Sequence, residues 1–149
     1  MILEWEEYFM ELAKLTAKRS KDPNTQVGAV IVNTSKRVIG LGYNGFIDIP
    51  DNDILFPWTK DSDKYEEIKY SYVIHAEANA ILNSISAIKN STLYVTLYPC
   101  RECAKLIIQS GIKKVVYLDY KEDLASARMF KAAKIETIQF KKGSNNNDE

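Results

Sequence analysis

The sequence predicts an α/β fold: a mixed five-stranded sheet opened by a β-hairpin and covered by helices on its faces. Two observations predict it. Two β-rich runs joined by a short polar turn come first, and after a long aperiodic stretch strands alternate with helices. At 149 residues the chain has the length of one domain, enough to bury roughly 70% of the surface its unfolded form exposes. A single domain is expected over residues 1–141. Residues 142–149, KGSNNNDE, are expected to form a disordered tail, because their composition offers nothing apolar to bury.

Taken in order, residues 2–19 carry Trp5, Tyr8, Phe9, Leu12 and Leu15 three or four apart, the apolar stripe of an amphipathic helix. Lys18, Arg19 and Lys21 suit its C-terminal end, and Asp22-Pro23 stops it. VGAVIV (27–32) and RVIGLGY (37–43), joined by NTSK, form the hairpin. From Phe46 to Tyr70 no period is sustained, so a long loop is expected, functional and mobile. Order then returns with a helix over about 75–85, a strand over 92–97, a helix over 101–110 and a strand over 114–119. A helix over about 122–133 and a strand over 135–140 complete the domain. There is no internal repeat.

Twenty Lys plus Arg balance twenty Asp plus Glu, with no block of basic residues. A protein that grips many phosphates of a polynucleotide needs a basic face, so a small ligand is expected and nucleic acid is not. The opening MILEWEEYFM is acidic where a signal peptide needs a basic start, and no run approaches the roughly 18 apolar residues of a membrane span. The expectation is a cytoplasmic protein with no membrane partner. In that reducing setting, Cys100 and Cys103 point to a metal or redox role rather than a structural disulfide.

Those cysteines, spaced C-x-x-C, follow Pro99 where a strand gives way to a helix. The chain's one histidine, His75, starts the preceding helix, with Glu77 two positions on. Strand-to-helix turns of an α/β sheet gather along one edge, where ligands bind, so the two pieces can converge. One imidazole and two thiolates make three zinc ligands. A structural zinc is held by four protein ligands, whereas a catalytic zinc keeps its fourth place for water, and the inventory favours catalysis. Glu77 could instead complete the tetrahedron, but its position at the helix start suits a proton carrier beside the metal. A redox C-x-x-C or a satisfied core histidine each explains half of the constellation.

The pair H-A-E and P-C-R-E-C resembles the H-x-E…P-C-x-x-C signature of zinc nucleobase deaminases. With WEEYFMELAKLTAKRSKDPNTQVGAVIV, GLGYNGF, YSYVIHAEANAIL and TLYVTLYPCRECAKLIIQSGIKKVVY, about two thirds of the chain resembles the deoxycytidylate (dCMP) deaminase family. The sequence departs from that pattern at Ile47, Asp48 and Ile49 after GYNGF and at Ala78 after Glu77. The resemblance implies the three-layer α/β/α cytidine deaminase-like fold, one Zn²⁺ per subunit on His75, Cys100 and Cys103, and Glu77 as the proton shuttle. The activity it implies is hydrolysis of dCMP to dUMP and ammonia, supplying dUMP for thymidylate synthesis.

It further implies activation by dCTP with Mg²⁺ and inhibition by dTTP at Gly42, Tyr43, Asn44 and Gly45, in a homo-oligomer, commonly a hexamer. For the substrate, the Ala76 N–H, lacking an intrahelical partner, can donate to the base carbonyl. Asn44 matches a sugar-contacting position, although Asn44-Gly45 is also a turn dipeptide. Asn24 and Tyr120 are candidates for the 5′-phosphate, with Ser20, Arg19 and Lys21 as competing donors, and Tyr98 is a candidate to pack on the base or simply in the core. Three rival functions share these features: a relaxed dCMP/dCTP deaminase, a tRNA adenosine deaminase, and a non-catalytic zinc-stabilised nucleotide sensor.

Overall fold

The computed structural model describes residues 1–142. The expected tail, from Gly143 onward, lies outside the described residues.

Helix α1 (Trp5–Ala17) is followed by strands β1 (Gly28–Val32) and β2 (Val38–Tyr43), which pair antiparallel as the expected hairpin. Strand β5 (Thr92–Leu97) pairs antiparallel with β1 on its other side, and β6 (Lys114–Asp119) and β7 (Glu136–Gln139) continue in parallel. The sheet is therefore mixed and five-stranded, in the order β2-β1-β5-β6-β7.

Period-two alternation divides the core between two faces. Ala29 and Ile31 of β1, Leu93 and Val95 of β5 and Val115 of β6 pack with helices α3 (Ala76–Leu82), α4 (Arg101–Ser110) and α5 (Leu124–Ala132). Val30, Val32, Tyr94 and Val116 face the other way, onto Phe9, Met10 and Ala13 of α1. The result is the three-layer α/β/α architecture.

The buried face of α1 differs from the expected stripe. Phe9, Met10, Ala13 and Ala17 are buried, whereas Trp5, Tyr8 and Leu15 are exposed. The physical reason is close approach. A Cβ added at Gly28 of β1 would run into the carbonyl oxygen of Ala13 and stand 2.6 Å from the amide nitrogen of Ala17, so only short side chains fit along that line. Trp5 instead stacks on Phe9 at 5.5 Å between ring centroids.

The aperiodic segment holds a single helical turn α2 (Asn52–Leu55) and two 3₁₀ turns over Tyr65–Glu67 and Lys69–Ser71, and is flanked by two-residue strands β3 (Gly45–Phe46) and β4 (Val73–Ile74) that pair with each other. Phe46 packs on Trp58 and Phe56, and Phe56 stacks on Tyr72, which ties the segment to its own two ends.

Helix α3 lies flush against the edge strand β2, because Gly40 and Gly42 leave no side chain between them and its backbone. Its polar residues reach round the rim. Asn79 Nδ2 donates to the Tyr43 carbonyl at 2.8 Å and Asn83 Nδ2 to the Leu41 carbonyl at 3.1 Å, while the Ile85 N–H donates to the Ile39 carbonyl at 2.9 Å. No helix among the described residues is long and apolar enough to cross a membrane.

Candidate metal centre

Two helix starts converge at the sheet edge. His75 is extended and occupies the N-cap of α3 directly after β4, and Cys100 is extended and occupies the N-cap of α4, separated from β5 by Tyr98 and Pro99. Cys103 lies in the first turn of α4. His75 Nδ1 stands 3.4 Å from Cys100 Sγ and 3.3 Å from Cys103 Sγ, and the three donor atoms lie within 4.8 Å of one another. Zinc–sulfur bonds of about 2.3 Å and a zinc–nitrogen bond of about 2.0 Å at tetrahedral angles give an N···S edge of about 3.6 Å. The donor set and its spacing fit zinc.

The charges fit as well. A hydrogen bond from Cys103, with help from His75, draws the Cys100 thiol down to about 4, while Cys103, donating to that sulfur and buried, is pushed up. His75 is raised by its hydrogen bond to Cys100, against the effect of burial. A dication in this position lets both sulfurs carry charge.

Glu77, one residue into α3, is 4% exposed and belongs to no metal-binding cluster among the described residues. Burial pushes its carboxyl up to about 7, opposed by its own backbone N–H and by His75. A carboxyl poised near neutrality beside a metal can both take and return a proton.

Of the other expected residues, Ala76 is fully buried as the first residue of α3. Tyr98, 6% exposed, and Tyr120, 54% exposed, lie 5.1 Å apart between ring centroids beside the Cys100 turn. Asn24 is exposed and its backbone N–H donates to Asp22 Oδ1 at 2.8 Å. Asn44 is buried, with Oδ1 accepting from the Val27 N–H and Nδ2 donating to the Thr25 carbonyl, both at 2.9 Å. The Asn44-Gly45 pair makes no left-handed turn, since neither residue has a positive φ; it carries the chain from β2 into β3, and the Asn44 amide shapes the 22–27 loop.

Tyr43, Asn44 and Gly45 line a cavity of about 440 Å³ that Arg19, Lys21 and Asp53 also border. Gly42 is turned away from it, onto α3. A wider and more open depression of about 1040 Å³ lies over the acidic loop around Asp61 and Glu66 and contains none of the expected residues.

Sequence reasoning missed the bridge between the Asn24 loop and the metal centre. Lys69 Nζ meets Asp22 Oδ2 at 2.6 Å with side chains 17% and 3% exposed, and the next residue, Tyr70, stands edge-on to the His75 ring at 6.0 Å. Forty-seven residues separate Lys69 from Asp22, so no local pattern signals the contact.

A three-layer α/β sheet with a His-Cys-Cys centre and a buried carboxyl at its edge defines the zinc deaminase class. The cytidine and deoxycytidylate deaminase zinc-binding region matches residues 3–119, and the chain belongs to that family. It is 49% identical to mouse deoxycytidylate deaminase over 144 residues, covering 93% of this chain and 80% of the mouse protein. It is 52% identical to the human deoxycytidylate deaminase over 120 residues, covering 80% and 67%. The crystal structure of dCMP deaminase from the cyanophage S-TIM5 in complex with dCMP and dUMP superposes with a TM-score of 0.75 at 27% identity, covering 94% of this chain and 99% of the phage chain.

Proposed function

We propose that this chain is a zinc-dependent deaminase that converts dCMP and water to dUMP and ammonia. The observation that carries the reading is the His75-Cys100-Cys103 cluster with Glu77 buried beside it. The identity to the mouse and human proteins supports dCMP as the substrate.

His75, Cys100 and Cys103 hold the metal. Zinc bound there supplies the Lewis acidity that lowers the pKa of water from about 15.7 toward about 7. Glu77 accepts the first proton that water gives up, passes it to ring N3 as the new C4–O bond forms, then takes the remaining proton from the C4 hydroxyl and delivers it to the amino group, so that the C4–N bond breaks to release ammonia and leave the C4 carbonyl. Its burial keeps the carboxyl protonatable near neutral pH. The Ala76 N–H, at a helix start, donates to the base carbonyl. Tyr98 packs on the base, Asn44 contacts the sugar, and Asn24 and Tyr120 contact the 5′-phosphate.

Regulation forms part of the same proposal: dCTP with Mg²⁺ activates and dTTP inhibits, in a hexamer. The cavity bordered by Tyr43, Asn44 and Gly45 supports an anionic effector there, since Arg19 lines it together with Lys21, whose Nζ is paired with Asp53 Oδ2 at 2.6 Å.

The deciding experiment measures ammonia release from dCMP, dCTP, CMP and deoxycytidine, alongside zinc content. Turnover of dCMP above the others is expected, with dCTP and dTTP shifting the dCMP curve in opposite directions. Stoichiometric zinc with no turnover of any of the four would refute the deaminase reading, and a hyperbolic curve unmoved by either triphosphate would refute the regulation.

A further inference from the structure

The turn that carries both sulfurs has little backbone support of its own. Pro99 has no N–H, and the first N–H groups of α4, like those of any helix, lack intrahelical acceptors. The Ala104 N–H returns to the Cys100 carbonyl at 2.8 Å. Just before the turn the Tyr98 N–H donates to the Asp119 carbonyl of β6 at 2.8 Å, and the contacts to the residues flanking Cys100 come from the start of α5, more than twenty residues later. Ser126, fully buried, donates its hydroxyl to the Pro99 carbonyl at 2.9 Å. Asp123 divides its carboxylate between two helices: Oδ1 accepts the Ser126 N–H of α5 at 3.0 Å, and Oδ2 accepts from Arg101 of α4, from the backbone N–H at 2.9 Å and from Nε at 3.2 Å.

An ordinary helix cap needs only the first of these oxygens. The second oxygen and the Ser126 hydroxyl act on the residues either side of Cys100. We propose that Asp123 and Ser126 are positioning residues for the metal centre, clamping the Pro99–Arg101 turn to α5 so that both sulfurs face His75.

The proposal rests on the zinc reading above and goes beyond it, because neither residue touches the metal or the substrate. Partners one step removed from a ligand set its orientation, and their loss typically weakens metal affinity by about 10- to 100-fold. The clamp here holds the backbone rather than a ligand atom, so about tenfold, the lower end, is expected.

The test compares zinc-loaded wild type with Ser126→Ala, Asp123→Ala and Asp123→Asn, and with Val30→Ala, a cavity control buried on the opposite face of the sheet. Zinc affinity is read by competition with a chromophoric chelator, and ligand geometry by the visible bands of the Co²⁺-substituted proteins. Ser126→Ala and Asp123→Ala are expected to lose zinc about tenfold more readily and to shift the cobalt bands. Asp123→Asn, whose amide oxygen still accepts one N–H, is expected to fall between them and wild type. Val30→Ala is expected to be less stable yet to keep wild-type affinity and bands.

Wild-type affinity and cobalt bands in both Ser126→Ala and Asp123→Ala would overturn the proposal, as would an equal loss in Val30→Ala. If Asp123→Ala does not fold, Ser126→Ala, which removes one hydroxyl, decides alone. A wild-type chain that took up no zinc would overturn the metal reading and the clamp together.

Discussion

Replacing Lys69 with Met should break the ion pair that ties the loop before β1 to the segment leading into β4. In the native protein the ammonium sits 2.6 Å from Asp22 Oδ2, with side chains only 17% and 3% exposed. Met keeps the aliphatic stem and removes the charge, leaving a carboxylate buried without its cation. Breaking a buried pair from one side costs about 3–5 kcal/mol. Asp22 keeps the N–H groups of Asn24 at 2.8 Å and Thr25 at 3.2 Å, which places the loss at the lower end, about 3 kcal/mol. With a urea slope of about 2 kcal/mol/M, the unfolding midpoint should fall by about 1.5 M at pH 7. The pH dependence carries a second signature. Burial raises the Asp22 carboxyl, but Lys69 and the two N–H groups outweigh it, and the group titrates below its ordinary 3.8. A carboxyl depressed in the folded state adds stability that is complete above the unfolded value and is lost as pH falls through the folded one. The gap between wild type and Lys69→Met should therefore be full at pH 7 and shrink below about pH 3.8. Equal midpoints at pH 7, or a gap that persisted unchanged into strong acid, would show that the Lys69–Asp22 pair does not stabilise the fold in this way.

Three further outcomes can be checked directly. Gly28→Ala forces a methyl group into the backbone of α1; a loss of about 3 kcal/mol, the top of the overpacking range, lowers Tm by about 9 °C in a thermal melt at about 3 °C per kcal/mol. Glu77→Gln should retain zinc by elemental analysis while kcat falls by about 10²–10⁴, the usual contribution of a general acid–base group; near-native turnover would remove Glu77 from the chemistry. In the zinc-stripped protein the Cys100 thiol is drawn down to about 4, so its reaction with a disulfide reagent should be nearly independent of pH between about 5 and 8, and Cys100→Ser should abolish that phase. A rate rising tenfold per pH unit across this range would contradict the shift.

Much of the sheet was legible because its signals are local. The run 27–32, the NTSK turn and the run 37–43 give the β1–β2 hairpin, and the Pro99 and Cys100 boundary marks the start of α4 to the residue. The β3–β4 pair was illegible because two residues a side cannot display a period. The α1 face was misjudged because large side chains dominate a periodicity count, while the close approach at Gly28 selects alanines. The convergence of His75, Cys100 and Cys103 could be read from the sequence because their chemistry is specific to type and spacing. Asp22, Lys69, Asp123 and Ser126 are common surface residue types, and only the folded chain gives them their partners.

The decorated rim of β2 limits how copies of this protein can meet. Growth of a β-ladder from one molecule into the next requires free acceptors as well as free donors along the border. Here the carbonyls of Ile39, Leu41 and Tyr43 are already occupied by Ile85, Asn83 and Asn79. An approaching strand would have to compete with two amides and a main-chain N–H of the same molecule for these acceptors, which disfavours extension of the sheet along this border and leaves side-chain contacts as the easier route to association there.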